Sequence, residues 1–424
     1  MMRELKRIGF ISTRFCGTDG VSLETMKWEK VLNHLGYECF FFAGESDWPA
    51  NRSYTVNEAH FDHPEIRGMN KDLFDDYRRS PETSAKIEQF KRHLKNHLYR
   101  FVNKFDLQLL IVENALALPM NVPLGLAITE FIAETEKPTI AHHHDFAWER
   151  TRFAISAAED YLQAAFPPTI RHIQHIVINT YAERQLALRT GLSASLIPNV
   201  MDFENRSHLK NDDYSNDMRQ KLEIAPDAHI LLQPTRIVPR KRIEQAIELT
   251  RRVGGNAVLV ISHHGGDEGK EYQSYLHEYA GILDVPVKFA ADFFAFQRSK
   301  NDQGGKIYSL ADAYFQAELV TYPSRIEGFG NAFLEAIYYQ RPIVMNNYEI
   351  FKTDIQPKGF SVIGYDNYID QACISSVEKI LDNPTHVEEI VAANYDIGRK
   401  YYSYQVLERR LASLLEFIHI GMLE

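Results

Sequence analysis

A chain of 424 residues with 45% hydrophobic and 25% charged residues is too long for one ordinary core and reads as roughly two globular domains. Its formal charge of −10 argues against nucleic acid or an anionic membrane as the main partner. Cys16, Cys39 and Cys373 are scattered and form no CxxC pair, which fits reduced thiols better than a disulfide framework or a structural zinc site. Residues 1–20 lack a signal-peptide pattern, and no stretch approaches the ~18–20 apolar residues of a membrane span. A cytoplasmic protein with no stable membrane insertion is expected.

Residues 6–12 (KRIGFIS) read as a strand apolar enough for the inside of a parallel sheet. The loop TRFCGTDG follows with Gly17 and Gly20. Trp28, Val31, Leu32 and Leu35 then mark one face of a helix that Gly36 stops. Residues 38–43 (ECFFFA) give a second strand, so the chain opens as a βαβ unit with a glycine loop where open α/β sheets bind ligands. That loop is not GxGxxG, which weakens a dehydrogenase reading. Residues 51–104 are polar and helix-prone, clearest from Ser84 onward, with the bases on a solvated face. Strands are predicted at 107–113 and 137–142 and a helix at 123–135; the second of these strands delivers His142, His143, His144 and Asp145 to its C-terminal end. Strands at 173–180 and 193–198 flank a helix at 181–190, and this alternation predicts one doubly wound domain.

IPNVMD at 197–202 and the polar segment 205–216 read as a linker. The alternation restarts with strands at 229–234, 257–262 and 285–290. Helices follow the apolar face Ile243, Ala246, Ile247, Thr250 and Val253, then 268–279 and 307–316. A strand at 319–323, a glycine-bearing loop, a helix opening near Asn331 and a strand at 342–345 complete the pattern. Leu407, Leu411, Leu414, Leu415 and Ile418 give a last amphipathic helix. The expected class is α/β, with two doubly wound Rossmann-like domains, 1–202 and 203–402, whose strand ends line a cleft.

Four stretches carry chemistry. Arg236 and Lys241 stand five residues apart at a strand–helix junction, where a bidentate guanidinium and a point charge suit a diphosphate. Their neighbours Arg240 and Arg242 read as exposed bases. Glu327 and Glu335 lie eight positions apart, separated by Gly328 and Gly330 and by a helix start whose amides, at Phe329, Gly330 and Asn331, suit a phosphate. Carboxylates on either side would hold polyol groups, so the pattern suits a sugar nucleotide; the bland reading is a solvated loop acid and a surface glutamate. The Gly17–Gly20 loop is the third stretch and the histidine cluster the fourth. Neighbours on a strand face opposite ways, so three adjacent histidines cannot all ligate one ion. A histidine donating to a reacting sugar, or a satisfied structural one, is favoured over a metal site. His263 and His264 end another strand and are candidates for a cleft wall. Arg14, Arg150 and Arg152 hint at an anionic acceptor, although loop arginines are commonly just solvated.

These stretches resemble, over nearly the whole chain, a retaining glycosyltransferase of family 4 with the two-domain GT-B fold. The matching pieces are GTDGVSLETMKWEKVLNHLGYE, HHHDF, IPNVMD, TRIVPRK and EGFGNAFLE. The resemblance implies that Arg236 and Lys241 hold the donor diphosphate and Glu335 the ribose hydroxyls. Glu327 contacts the transferred sugar beside Gly328 and the amides of Phe329, Gly330 and Asn331, with Gly20 also on the donor side. One of His143 and His144 meets the sugar near its 6-hydroxyl, His143 being preferred, and Arg14 and Asp145 lie on the acceptor side. It further implies a UDP- or GDP-linked hexose passed to an acceptor hydroxyl with its anomeric configuration kept, and neither a metal nor another cofactor. A C-terminal helix (403–424) is expected to pack back on the first domain.

Val200 stands where a glycine is common, and Gln340–Arg341 replaces a small residue before Pro342, where a tighter turn is expected to be lost. The C-terminal half resembles bacterial enzymes that make glycosylated compatible solutes, so a small soluble acceptor is expected. The rivals are an epimerase or phosphorylase of the same fold, a catalytically silent sugar-nucleotide binder, and a lipid or cell-envelope glycosylating enzyme docking through the basic face of 86–100. The base, the sugar, the acceptor and any homo-oligomer are left open.

Overall fold

Five short apolar runs, flanked by two shorter and more polar edge strands, pair as one parallel sheet in the first part of the chain. In the computed structural model, which describes residues 6–17, 19–205, 212–265 and 270–421, the elements run β1 (Arg7–Ile11), α1 (Gly20–His34), β2 (Glu38–Ala43), β3 (Ser53–Thr55), α2 (Pro64–Phe74), α3 (Pro81–Phe105), β4 (Leu109–Glu113), α4 (Val122–Thr135), β5 (Thr139–His143), α5 (Glu159–Ala165), β6 (Ile173–Val177), α6 (Thr180–Thr190) and β7 (Ser195–Leu196). Their order in the sheet is β3-β2-β1-β4-β5-β6-β7. Every residue of β4 and β5 is buried, because helices cover both faces of a sheet wound this way. On one face α3 and α4 contribute Leu94, Leu98, Phe101, Leu124 and Phe131. On the other, Trp28 and Val31 of α1 meet Leu407, Leu411, Leu414 and Leu415, the stripe expected of a last helix.

The second set of elements runs α7 (Met218–Lys221), β8 (His229–Gln233), α8 (Ile243–Val253), β9 (Ala257–Ile261), α9 (Lys270–Ile282), β10 (Val287–Phe289), β11 (Phe294–Ala295), β12 (Ser299–Lys300), β13 (Lys306–Ser309), α10 (Leu310–Gln316), β14 (Leu319–Tyr322), α11 (Asn331–Tyr338), β15 (Ile343–Asn346), β16 (Ile363–Tyr365), α12 (Gln371–Asp382) and α13 (Pro384–Tyr402), before α14 (Tyr404–Gly421). Here the parallel order is β10-β9-β8-β14-β15-β16, with a small extra sheet β11-β13-β12. The chain divides into two units, Met1–Val200 with Tyr404–Glu424, and Met201–Ser403. The changeovers fall at 200–201 and 403–404 rather than 202–203 and 402–403, because Met201 bridges Ser403 and its N–H donates to Tyr402 O at 2.9 Å.

Some expectations change. The helix expected from Ile307 begins as β13; the helix starts at Leu310, where Ser309 and Asp312 form a reciprocal cap. The bases of α3 are not simply solvated: Lys91 reaches Glu130, and Lys95 reaches Glu130 and Glu134 of α4. The turn before Pro342 is kept, with Gln340 at φ 53° closing α11. Of the expected linker, residues 206–211 lie outside the described residues, as do Thr18 of the glycine loop and 266–269, where the helix expected at 268–279 would begin. Among the described residues no helix is long and apolar enough to cross a membrane.

Candidate functional site

In both sheets the strand order reverses beside the first strand of the unit, and the two residue clusters of interest stand at the C-terminal ends of the strands there. In the second unit those strands are β8 and β14. After β8 the chain passes exposed Arg236 and makes a 3-10 turn, Pro239–Lys241, that tucks Lys241 inward to 8% exposure. After β14 it passes Ser324 and Arg325 to Glu327. Lys241 Nζ bonds Glu327 Oε1, and Arg240 Nη1 reaches Glu327 Oε2 and Ile326 O at 3.2 Å each. Arg240 is therefore part of the cluster and not the exposed base expected, because a turn of three residues points it the same way as its neighbour. Arg242 is half-buried rather than the exposed base expected, donating to Asn367 Oδ1 at 3.1 Å.

Burial pushes the Glu327 carboxyl up, but the charges of Lys241 and Arg240 outweigh it and hold the group at about 2. Burial lowers Lys241 in spite of Glu327. Burial, with Lys241 and Arg236 nearby, brings His263 down to about 4. This corner thus gathers positive charge from Arg236, Arg240 and Lys241 around one acid. His264 lies farther out, 3.4 Å from exposed Asp292.

Gly328 is exposed and Phe329 buried, and Gly330 then caps α11 at φ 119°. A Cβ there would come 2.2 Å from Tyr348 Oη, which donates to Phe329 O at 2.6 Å. Only glycine fits this turn, and it leaves the first amides of α11, from Asn331, at the strand end. Glu335 stands one turn into the helix and accepts from Tyr314 Oη at 2.8 Å.

In the first unit the corresponding strands are β1 and β4, with β5 alongside. Glu113 ends β4, wholly buried, in register with His142. Its Oε2 lies 3.0 Å from both His142 Nδ1 and His144 Nε2. The His142 ring stacks on Trp28 with centroids 4.3 Å apart. His143 faces the other way, as strand alternation requires, and is wholly buried with Nε2 2.9 Å from His175 Nδ1. Burial lowers His143 well below the ordinary imidazole range, whereas the bond and charge of Glu113 raise His144 against its burial. The register thus leaves His144, not the preferred His143, as the partly exposed ring.

The His144 N–H donates to Asn114 Oδ1 at 3.0 Å, Asn114 Nδ2 to Asp145 Oδ1 at 2.9 Å, and Arg150 Nε to Asp145 Oδ2 at 2.6 Å. Arg14 lies 3.3 Å from Asp19, which caps α1 just ahead of exposed Gly20, and packs over the Phe61 ring. Among the described residues, Glu113, His142 and His144 have donor atoms within 4.8 Å of one another. The hydrogen bonds run to the two oxygens of one carboxylate, His142 Nδ1 to Oε1 at 3.2 Å and His144 Nε2 to Oε2 at 3.0 Å, the geometry of two N–H donors on one acceptor group rather than of ligands around a common centre. Glu113 escaped the sequence reading because a lone acid closing LQLLIVE looks like the polar end of a strand.

The model of the family described as glycosyl transferases group 1 matches residues 215–396. A mannosylglucosylglycerate synthase of Thermotoga maritima is 30% identical over 95% of this chain and 98% of its own length. The chain belongs to the group 1 glycosyltransferases. A second mannosylglucosylglycerate synthase, from Petrotoga mobilis, is 34% identical over 84% of this chain and 86% of its own. Among solved structures, a sucrose-phosphate synthase of Thermosynechococcus elongatus aligns over 98% of this chain and all of its own (100%) with a TM-score of 0.67 at 14% identity, which shows a shared GT-B fold. A member of this family transfers a sugar from a nucleotide-sugar donor to an acceptor, the activity expected from the paired glutamates and the Arg–Lys pair.

Proposed function

We propose that this group 1 glycosyltransferase is a retaining hexosyltransferase using a UDP- or GDP-linked hexose and a small soluble acceptor. The observation that carries the reading is the cluster at the ends of β8 and β14, where Lys241 and Arg240 close on Glu327 beside the glycine-opened start of α11. A diphosphate gains negative charge as it leaves, so Arg236, Lys241 and the amides around Phe329, Gly330 and Asn331 stabilise the transition state more than the ground state. With that charge supplied by side chains, no metal ion or other cofactor is needed.

Glu335 takes the ribose hydroxyls, and Glu327, with Gly328 beside it, the hydroxyls of the transferred sugar. Its two cations make Glu327 a poor nucleophile and a good hydroxyl acceptor. The acceptor hydroxyl therefore attacks from the face the phosphate leaves, and the leaving phosphate oxygen takes its proton. In the first unit His144 meets a hydroxyl of the sugar, Gly20 serves the donor, and Arg14 and Asp145 serve the acceptor. The relatives' name supports a mannosyl transfer to a glucosylglycerate, whose carboxylate suits Arg14.

The test is incubation with UDP- and GDP-linked mannose or glucose plus glucosylglycerate, followed by proton NMR of the product's anomeric position. A new glycoside with the donor's configuration is expected. An inverted product, or an isomerised nucleotide sugar without transfer, overturns the reading.

A further inference from the structure

We infer that Glu113 is a positioning residue of the transfer reaction: its carboxylate ties down Nε2 of His144 and leaves Nδ1 to donate to the transferred sugar. The inference rests on the reading that His144 contacts that sugar. A carboxylate at 0% exposure inside a sheet is costly unless hydrogen-bonded. Here both of its close partners are imidazole nitrogens, His142 Nδ1 at 3.2 Å from Oε1 and His144 Nε2 at 3.0 Å from Oε2. An ionised carboxylate only accepts, so both of those nitrogens carry protons.

For His142 this fixes the tautomer with a bare Nε2, which is buried with no hydrogen-bond partner among the described residues while the ring stacks on Trp28. Burial lowers its proton affinity and so agrees with a neutral ring. For His144 it fixes the ring, while Asn114, the next residue of the same strand end, fixes the backbone by accepting from its N–H. Residues 113 and 114 therefore hold both the side chain and the main chain of His144 from one neighbouring strand.

The charges facing His144 decide its protonation. Glu113 comes from β4. Glu24 comes from α1, and it is paired with Lys27 at 2.9 Å. Asp145 follows β5 and is held by Arg150. His142 faces it from within β5, with ring centroids 4.4 Å apart. Burial disfavours the imidazolium, but Glu113, Glu24 and Asp145 outweigh it and raise His144 above its ordinary value. With the folded value raised, the charged ring persists up to that higher pH and is lost as pH rises through it. Below that point Nδ1 carries a proton and donates; above it Nδ1 becomes an acceptor.

The experiment uses the full chain labelled with nitrogen-15 histidine, with H144N used only to assign the signal. At pH 6.5, where an ordinary histidine is about half protonated, wild-type His144 is expected to be mostly doubly protonated; half or less overturns the inference without any variant. In E113Q the His144 titration is expected to fall by at least about one pH unit, and the alkaline limb of kcat/KM to move with it. A titration unchanged in E113Q, or a shifted titration with an unmoved limb, overturns the positioning role. Where E113Q does not fold, E113D keeps the charge at shorter reach, and an unchanged titration there overturns it likewise. Because the titration is read without substrate, failure of the functional reading looks different: no variant and no wild type transfers sugar at all.

Discussion

Lys241 and Arg236 are both expected to grip the diphosphate, yet their surroundings predict different costs on replacement. Arg236 is exposed, so Arg236→Ala should lower turnover about 10²–10³-fold and leave the melting temperature nearly unchanged. Lys241 is buried against Glu327, so Lys241→Ala should lose turnover to a similar degree and also stability, up to about 3 kcal/mol, because the buried acid then loses its buried cation and keeps the half-buried Arg240. Transfer rates and thermal melts on the two variants check this; wild-type rates in both would remove the role. His263 gives an independent readout. Lys241 and Arg236 help hold it near 4, so a bound nucleotide diphosphate should raise its titration in NMR by offsetting those cations. At this scale the sequence was legible in where a motif places its residues: Glu327 lies in the loop before α11 and Glu335 one turn into it. It was illegible where the fold brings distant residues together. Arg240 looked like helix surface until a 3-10 turn redirected it, and Glu113 has no local pattern that announces two histidine partners.

At the scale of elements, α11 is bounded by two left-handed residues with opposite prospects. Gly330 opens it at φ 119°, hard against Tyr348 Oη, so Gly330→Ala should cost roughly 1–3 kcal/mol. Gln340 closes it at φ 53°, with Arg341 N–H donating to Ala336 O at 2.9 Å. A side chain is disfavoured in that conformation by about 1–2 kcal/mol, so Gln340→Gly should raise the melting temperature. Thermal melts of the two variants should move in opposite directions; a stabilising Gly330→Ala or a destabilising Gln340→Gly would contradict the geometry. Buried strands and long helices were readable from their apolar runs, and β2 matches its expected bounds at Glu38–Ala43. The short elements were not. β13 was absorbed into the following helix because Ile307 and Tyr308 continue an apolar pattern that only the Ser309 cap interrupts.

For the whole molecule, the doubly wound class was legible because parallel strands buried on both faces must be apolar throughout, and α14 because its leucine stripe needs a partner face. The same burial sets the response to acid. Glu113 and Glu327 are held at about 2, so their contribution is complete above the ordinary carboxylate range, about 4.5, and is lost as pH falls from there toward 2. His175 and His263 are held near 4 by burial, with nearby cations adding to it at His263. The unfolded chain takes up protons below about 6.5 that these rings refuse, which removes up to about 3 kcal/mol each by pH 4. His144 runs the other way, its contribution fading as pH rises through its raised value. Urea midpoints should therefore fall between pH 6.5 and 4 and go on falling below as the two carboxylates lose their contribution; flat midpoints over that range would contradict the assignment.

The central claim is that a nucleotide diphosphate sits at the ends of β8 and β14. A crystal structure with bound GDP or UDP tests it most directly. The account predicts diphosphate oxygens about 3 Å from Arg236, Lys241 and the first amides of α11, with Glu335 on the ribose. A diphosphate bound elsewhere, with Arg236 and Lys241 untouched, would contradict it.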